Sequence, residues 1–453
     1  MKHFLSRMLL GCFGCWRLLT ADSSLNPPPD TRFKVDLLLV VAHPDDETEV
    51  GAYLARAVFD EHKRVAVVFG TRGNGGGNAE GQEQAASLGA VREIEARQAL
   101  ARFNISDVWF LNGLDTAGQD VLDSLETWNH GDSLERLVRL VRLTRPSVMV
   151  TWLPDWVAGE NHGDHQAAGV IATEAFDVAG DPTVFAEQLA APRNREDIKN
   201  LTEGLRAWQP EKIYYVTDAS HTDFVKGKGP AYPAADRSPS QKVSYARLAA
   251  EECAHHLTQG DTGQDARAAL EKNDLHAFQQ PVLFIFGKSY VESSVTGDLF
   301  EGVIPGGVAY RHAPGYVPRQ LSEPTIELGG PWLFYKRFWQ AHGLEDLSGL
   351  VAPEIMAQYA SPFVIPLVLE NPTKQPLAVD FNIDLPEGWS FRRRLPPSIT
   401  VGAGQTVSLP FEVKTTSIES KGWKTIAIDS KANGKALGEI RIRAQLNSGA
   451  MPQ

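Results

Sequence analysis

Cysteine is scarce in this chain: three residues in 453, two of them, Cys12 and Cys15, within the first fifteen. Beyond that N-terminal segment only Cys253 remains, which excludes an intrachain disulfide framework and leaves stability to packing and to metal. Basic charge is also short. The 44 Lys and Arg are outnumbered by 56 Asp and Glu, for a formal net charge of −12, and no long basic run occurs. A nucleic-acid binder normally presents a basic face, so no nucleic-acid partner is expected. Apolar runs stay shorter than the roughly 20 residues that span a bilayer, so no transmembrane helix is expected. Fixed-period repeats and low-complexity tracts are missing as well. What is present, 43% hydrophobic and 22% charged residues, is ordinary for a soluble globular protein. The length exceeds one typical core and predicts two or three domains.

The first thirty residues differ from the rest. A short positive start (MKHFLSR), an apolar stretch (MLLGCFGCWRLLTA) and a polar, Pro-rich exit read as a secretory signal peptide cut after Ala21. An exported protein, periplasmic or extracellular, is the expectation. Cys12 follows Leu9-Leu10-Gly11 and resembles a lipoprotein cleavage box, a lipid-anchor reading that ranks second to simple export.

From residue 35, short apolar runs alternate with amphipathic ones. The runs 35–42, 65–69, 108–111 and 147–153 are strand-like, and helical spacing such as Leu134, Leu137, Val138, Val141 lies between them. This order predicts a Rossmann-like, doubly wound, mostly parallel α/β sheet over residues 31–288. Residues 289–361 are read as a β-rich extension or linker. From 362 to 446, strand-like runs divided by turns at about ten-residue intervals predict an immunoglobulin-like β-sandwich.

Two polar clusters follow two of the buried runs. Ala42-His43-Pro44-Asp45-Asp46-Glu47 closes the first, and His162-Gly163-Asp164-His165 lies just beyond the fourth. In open α/β sheets, ligands bind outside the carboxyl ends of strands. Imidazole nitrogens and a carboxylate suit Zn²⁺, and a catalytic zinc keeps three protein ligands and one open position. His43, Asp46 and His165 are therefore the candidate metal ligands. Asp45 faces the open position. His162 is the candidate oxyanion stabiliser, and Asp164 the carboxylate that orients an imidazole. Asp-Asp-Glu at a helix start is also favoured by the helix dipole alone, so it is the pairing of two clusters that carries the reading.

These two motifs resemble those of the LmbE-like, or PIG-L, family of zinc N-deacetylases, which carry an (A/P)HPDD(E) motif and an HxDH motif. The resemblance implies a single Zn²⁺ on His43, Asp46 and His165, Asp45 as the general base that activates water, and His162 as the transition-state histidine. Thr71-Arg72-Gly73 resembles the family's Thr-x-Gly loop, Arg92-Glu93-Ile94-Glu95 its Arg-x-x-Glu helix, and His256-Leu257-Thr258-Gln259 its His-x-Ser-Gln, with Thr for Ser. Arg92, Thr71 and Asn74, the last in the glycine-rich loop 73–78, are the candidate substrate-binding residues. The activity implied is removal of an acetyl group from an N-acetylated amino sugar or glycoconjugate, a small-molecule or glycan substrate. A nucleotide-dependent dehydrogenase is excluded by His-Pro-Asp-Asp where a Gly-x-Gly-x-x-Gly turn belongs. A non-catalytic zinc- or glycan-binding protein, its sandwich supplying the function, stays open as the alternative.

Overall fold

The computed structural model describes residues 29–157, 162–189, 204–219, 221–358, 361–393, 398–415 and 422–447. The apolar run of the expected leader, its cut after Ala21 and Cys12 lie outside the described residues.

Strands β1 (Leu37–Val41), β2 (Val65–Phe69), β3 (Asp107–Phe110), β4 (Val148–Trp152) and β5 (Lys212–Val216) form a parallel sheet in the order β3-β2-β1-β4-β5. Every residue of β1, β2, β4 and β5 is buried. Near-continuous Val, Leu and Ile runs of this kind are what a sheet covered on both faces requires. A small antiparallel pair, β6 (Ala231–Tyr232) with β7 (Val282–Leu283), lies outside this sheet. β8 (Ile285–Ser289) closes the large sheet antiparallel to β5.

Helices α1 (Gly51–Phe59), α2 (Ala85–Ala101), α3 (Val121–Thr127), α4 (His130–Thr144) and α5 (Gly163–Val178) connect the parallel strands, and α6 (Tyr245–Cys253) and α7 (Thr262–Lys272) precede β8. Because β1 lies between β2 and β4, the chain leaves β1 toward one side and returns to its other side with β4. That reversal opens a crevice at the carboxyl ends of β1 and β4, the usual ligand position in such sheets.

α5 is buried on nearly every side, from Gly163 through Thr173, and its Gly and Ala residues let it approach β4 closely. A β-carbon at Gly169 would lie 2.3 Å from the carbonyl oxygen of Trp152. The close approach sets the helix that starts at His162 directly beside the end of β4.

Residues 289–361, expected as a β-rich extension or linker, hold few strands. Residues 290–324 hold neither helix nor strand, and β9 (Thr325–Leu328) and β10 (Glu354–Gln358) flank a helix, α8 (Pro331–His342). α8 starts with Pro at its first position and ends at Gly343 with φ 64°. Its Tyr335, Phe338 and Trp339 enter the α/β core, and the Tyr335 hydroxyl donates to Gln166 Oε1 of α5 at 2.7 Å.

β11 (Pro362–Glu370), β12 (Leu377–Asp384), β13 (Ser390–Phe391), β14 (Ser398–Val401), β15 (Thr406–Lys414), β16 (Lys424–Ala432) and β17 (Lys435–Asn447) make up the rest. They form two sheets, β10-β17-β16-β12-β14 and β13-β15-β11-β9. All pairings are antiparallel except β10 with β17. Ile365, Leu367, Phe411 and Val413 of one sheet share an apolar core with Ile355, Ile426, Ile428 and Ile442 of the other. Among the described residues no helix is long and apolar enough to cross a membrane.

Gly169→Ala is expected to destabilise the chain by about 1–3 kcal/mol, the usual cost of overpacking a close contact. A lowered urea midpoint, followed by tryptophan fluorescence, checks this; an unchanged midpoint would show that α5 can move off β4 freely.

Candidate active site

The turn after β1 is organised by one carboxylate. Asp46 Oδ2 accepts from the backbone N–H of Ala42 at 2.8 Å and of His43 at 3.0 Å, and from the Trp152 indole at 2.7 Å. With that oxygen fully engaged, Asp46 Oδ1 faces two imidazoles, 3.7 Å from His43 Nδ1 and 3.3 Å from His165 Nε2. Trp152 also stacks on His165, with ring centroids 4.4 Å apart and planes 7° from parallel.

Each of these histidines has a carboxylate on its far nitrogen. His43 Nε2 lies 3.2 Å from Asp164 Oδ2. Asp164 is itself fixed by the Thr116 backbone N–H at 2.8 Å and the Thr116 hydroxyl at 2.6 Å. His165 Nδ1 lies 3.0 Å from Asp218 Oδ2, though not in good hydrogen-bond alignment. Outer carboxylates of this type orient imidazoles and raise their basicity toward a metal.

The third imidazole, His162, caps α5. Its ring centroid is 4.8 Å from that of His43 and 4.4 Å from that of His165. One ligand atom from each of the three histidines falls within 4.8 Å of the others. His162 Nδ1 accepts the backbone N–H of Asp164 at 3.4 Å, so the neutral ring carries its proton on Nε2 and is a donor there.

Charge in this pocket is unevenly distributed. Burial opposes a charge on His43, yet its hydrogen bonds to the carboxylates of Asp164 and Asp46 hold it well above the ordinary imidazole range. Burial likewise opposes His165, which Asp46 and Asp218 push up to about 10. Burial and then the two neighbouring imidazoles hold His162 well below its usual range, hence neutral. Asp46, despite burial, is kept well below the carboxylate range by His165 and His43. Asp164, also against burial, is held at about 2 by His43 and Thr116.

Asp45 stands apart. Burial, reinforced by the Asp46 charge, raises it to about 7. Its backbone has φ 112°, outside the range most side chains adopt, and its carboxylate has no hydrogen-bond partner among the described residues.

The residues fit a divalent cation. His43, His162 and His165 bring one ligand atom each within 4.8 Å of the others, and Asp46 Oδ1 lies 3.7 Å from His43 Nδ1 and 3.3 Å from His165 Nε2. Oδ1 is aimed at nitrogens rather than at any backbone donor. A second cluster, His43, Asp115 and Asp164, lies on the opposite nitrogen of His43. It backs that ring: Asp115 accepts from Gly75 N at 2.5 Å and stands 4.0 Å from His43 Nε2.

The three expected substrate residues are placed differently. Thr71 is fully buried, and its hydroxyl accepts from Gly73 N at 3.0 Å, closing a turn. Arg92 is buried and directed into protein, donating to the carbonyls of Gly73 at 2.5 Å, Gly77 at 2.6 Å and Thr258 at 3.2 Å. Both shape the glycine loop instead of presenting a free group to a ligand. Asn74 is half-buried in that loop, its β-carbon over Gly89 of α2. Trp152, Asp218, Thr116 and Asp115 were not singled out from sequence. A signal existed for Asp218, which follows the apolar run Ile213–Val216 just as the two motifs follow theirs.

Two outcomes follow from this charge pattern. Without metal at pH 7, the raised His43 and His165 are protonated, so cation uptake should release about two protons and strengthen as pH rises. Calorimetry in buffers of different ionisation enthalpy measures this, and uptake without proton release would contradict it. Asp218→Asn should weaken metal binding by about 10–100-fold, read by chelator competition; unaltered retention would show that Asp218 does not support His165.

The sequence of residues 38–176 matches the family described as PIG-L, GlcNAc-PI de-N-acetylase. A protein of Frankia casuarinae named 1D-myo-inositol 2-acetamido-2-deoxy-alpha-D-glucopyranoside deacetylase 1 is 33% identical over 202 residues, 41% of this chain and 60% of its own length. The similarly named deacetylase of Streptomyces avermitilis is 33% identical over 209 residues, 41% of this chain and 61% of its own length. The chain thus spans about three fifths of these curated relatives. Among solved structures, N,N'-diacetylchitobiose deacetylase from Pyrococcus horikoshii is 17% identical and covers 60% of this chain and 88% of its own, with a TM-score of 0.39. With the His-Pro-Asp-Asp turn on β1 and the His-Gly-Asp-His turn beyond β4, residues 38–176 are a domain of the PIG-L (LmbE-like) family.

Proposed function

We propose that the chain is a zinc-dependent amidohydrolase that removes the acetyl group from an N-acetylated amino sugar or a glycoconjugate bearing one. The observation that carries this reading is the cluster of metal-ligating imidazoles at the ends of β1 and β4, with the unpartnered, buried carboxylate of Asp45 in the same turn as His43. A binding site has no use for such a group, whereas a general base works best with a pKa near the operating pH. The names of the relatives, deacetylases of a 2-acetamido sugar, support the substrate class.

His43, Asp46 and His165 would hold one Zn²⁺, which when bound supplies Lewis acidity to the amide carbonyl and makes the attacking water more acidic. Asp45 takes the proton from that water as its oxygen adds to the acetyl carbon. His162, neutral and protonated on Nε2, donates to the oxygen that becomes negative in the tetrahedral state. Its depressed basicity suits a hydrogen-bond donor better than a proton source, so Asp45 returns the proton to the nitrogen as the carbon–nitrogen bond breaks. Acetate and a free amine leave. Asp164 keeps the His43 ring oriented throughout, and Asp218 does the same for His165.

The two C-terminal sheets are read as an immunoglobulin-like sandwich because they are almost wholly antiparallel and share one core. Export rests on the leader alone, and a lipid anchor at Cys12 is the lesser variant of that reading.

The test is acetate release from a panel of N-acetylated sugars by the zinc-loaded chain. Asp45→Asn should keep its metal and lose about 10²–10⁴-fold in kcat. Normal turnover by this variant would remove Asp45 from the mechanism.

A further inference from the structure

Asp45 adopts φ 112°, a strained backbone state for a non-glycine residue that persists only where neighbours enforce it. The enforcing contacts converge on a single peptide plane, the one joining Pro44 to Asp45. At one end, the Asp45 N–H donates to Glu47 Oε2 at 2.9 Å. At the other, the Pro44 carbonyl accepts from the side-chain amide of Gln259. Glu47 is fully buried, and its second oxygen lies 2.7 Å from His256 Nε2, also fully buried. Both ends of the plane are thus reached by residues 256–259, more than 200 positions away in sequence.

That segment is itself anchored. Glu95 of α2 accepts from the backbone N–H of Leu257 at 3.2 Å and of Thr258 at 3.1 Å, and from the Thr258 hydroxyl at 2.7 Å. Arg92, one turn earlier, donates to the Thr258 carbonyl at 3.2 Å. Glu252 completes the buried group, with ligand atoms of Glu47, Glu252 and His256 within 4.8 Å of one another. Separations of that size are compatible with a cation. The 2.7 Å contact between His256 and Glu47, however, is a direct hydrogen bond, shorter than the spacing of two ligands around a metal.

We propose that Gln259 and His256 are positioning residues for Asp45. By holding the two ends of the Pro44–Asp45 peptide plane, they fix the direction in which the Asp45 carboxylate leaves the backbone. The torsion φ is rotation about the bond that joins this plane to the Asp45 α-carbon. A plane held at both its carbonyl and its N–H cannot rotate to relieve the strain, so the direction in which the Asp45 side chain leaves the backbone is held as well. This inference rests on the reading of Asp45 as the base. It extends that reading to a segment touching neither the metal ligands nor Asp45's own carboxylate.

The test is Gln259→Met, which keeps bulk and removes the donor, with Gln259→Ser as the smaller replacement should the first fail to fold. Each is made in the native chain and in the Asp45→Asn chain. In the native background kcat for acetate release from N-acetylglucosamine conjugates should fall by about 100-fold, the usual penalty for a base displaced by about 1 Å. KM and bound zinc should hold. In the Asp45→Asn background the same change should cost less than about twofold, because its effect passes through Asp45. A crystal structure of the Gln259 variant should show the Pro44–Asp45 peptide rotated and Asp45 out of its positive φ, with the metal still bound. An equal loss in both backgrounds overturns the proposal. So does a crystal structure with Asp45 unmoved. An Asp45→Asn chain as active as the native one would overturn the underlying base assignment instead. The crystal structure would still decide whether Gln259 sets the Asp45 backbone.

Discussion

One oxygen of Asp46 organises the site. Its Oδ2 accepts three N–H groups, two from consecutive backbone positions at the end of β1 and one from the indole of Trp152 at the end of β4. Hydrogen bonds to a charged acceptor contribute about 1.5–3 kcal/mol each, enough together to offset the burial of a carboxylate. The same three bonds tie the two strand ends across the crevice and orient the second oxygen. Trp152, placed by this contact, lies flat on His165 and sets that ring as well. The cluster of imidazoles and carboxylates therefore inherits its geometry from the ends of the sheet strands.

Around this point the pocket gathers Asp45, Asp46, Asp115, Asp164 and Asp218 against three imidazoles. The excess of carboxylate is what draws positive charge in. In the metal-free protein that charge arrives as protons, raising His43 and His165. His162 escapes because burial, and after it the charge on the other two imidazoles, hold it neutral. Three histidines within a few ångströms thus divide into two basic imidazoles and one neutral one, by environment alone.

The C-terminal sheets are tied into this arrangement. Fully buried Glu354 of β10 accepts from His221 at 2.9 Å and forms an ion pair with Arg443 of β17 at 2.9 Å. His221 is three residues from Asp218, so the loop that backs His165 is held by the α/β sheet at one end and by a C-terminal strand at the other. α8 adds a second tie through Tyr335 and Gln166, one position beyond His165.

Much of the site was legible because its chemistry is local. A buried apolar run ending in His-Pro-Asp-Asp, and another followed by His-Gly-Asp-His, place their side chains at strand ends by the logic of a parallel sheet. The strands of that sheet could be read from their unbroken Val and Leu runs. α8 was missed, although Pro331 and Gly343 mark its ends and Tyr335, Phe338 and Trp339 keep helical spacing, because the surrounding Gly- and Pro-rich stretch hides it. Thr71 and Arg92 carried a recognisable motif but not its direction. Only the fold turned one into a turn-closing hydroxyl and the other into a brace for the glycine loop. Trp152 looked like a core residue, and its role depends on Asp46, 106 positions away. Asp218 depends on His165 and Gln259 on Pro44 in the same manner. The sequence by itself determined which residues can bind a metal and where along the chain they fall, because ligand chemistry and strand ends are local properties. Which oxygen, which nitrogen and which tautomer face the centre was decided by the tertiary structure alone, because those choices are made by partners that only folding brings within 3 Å.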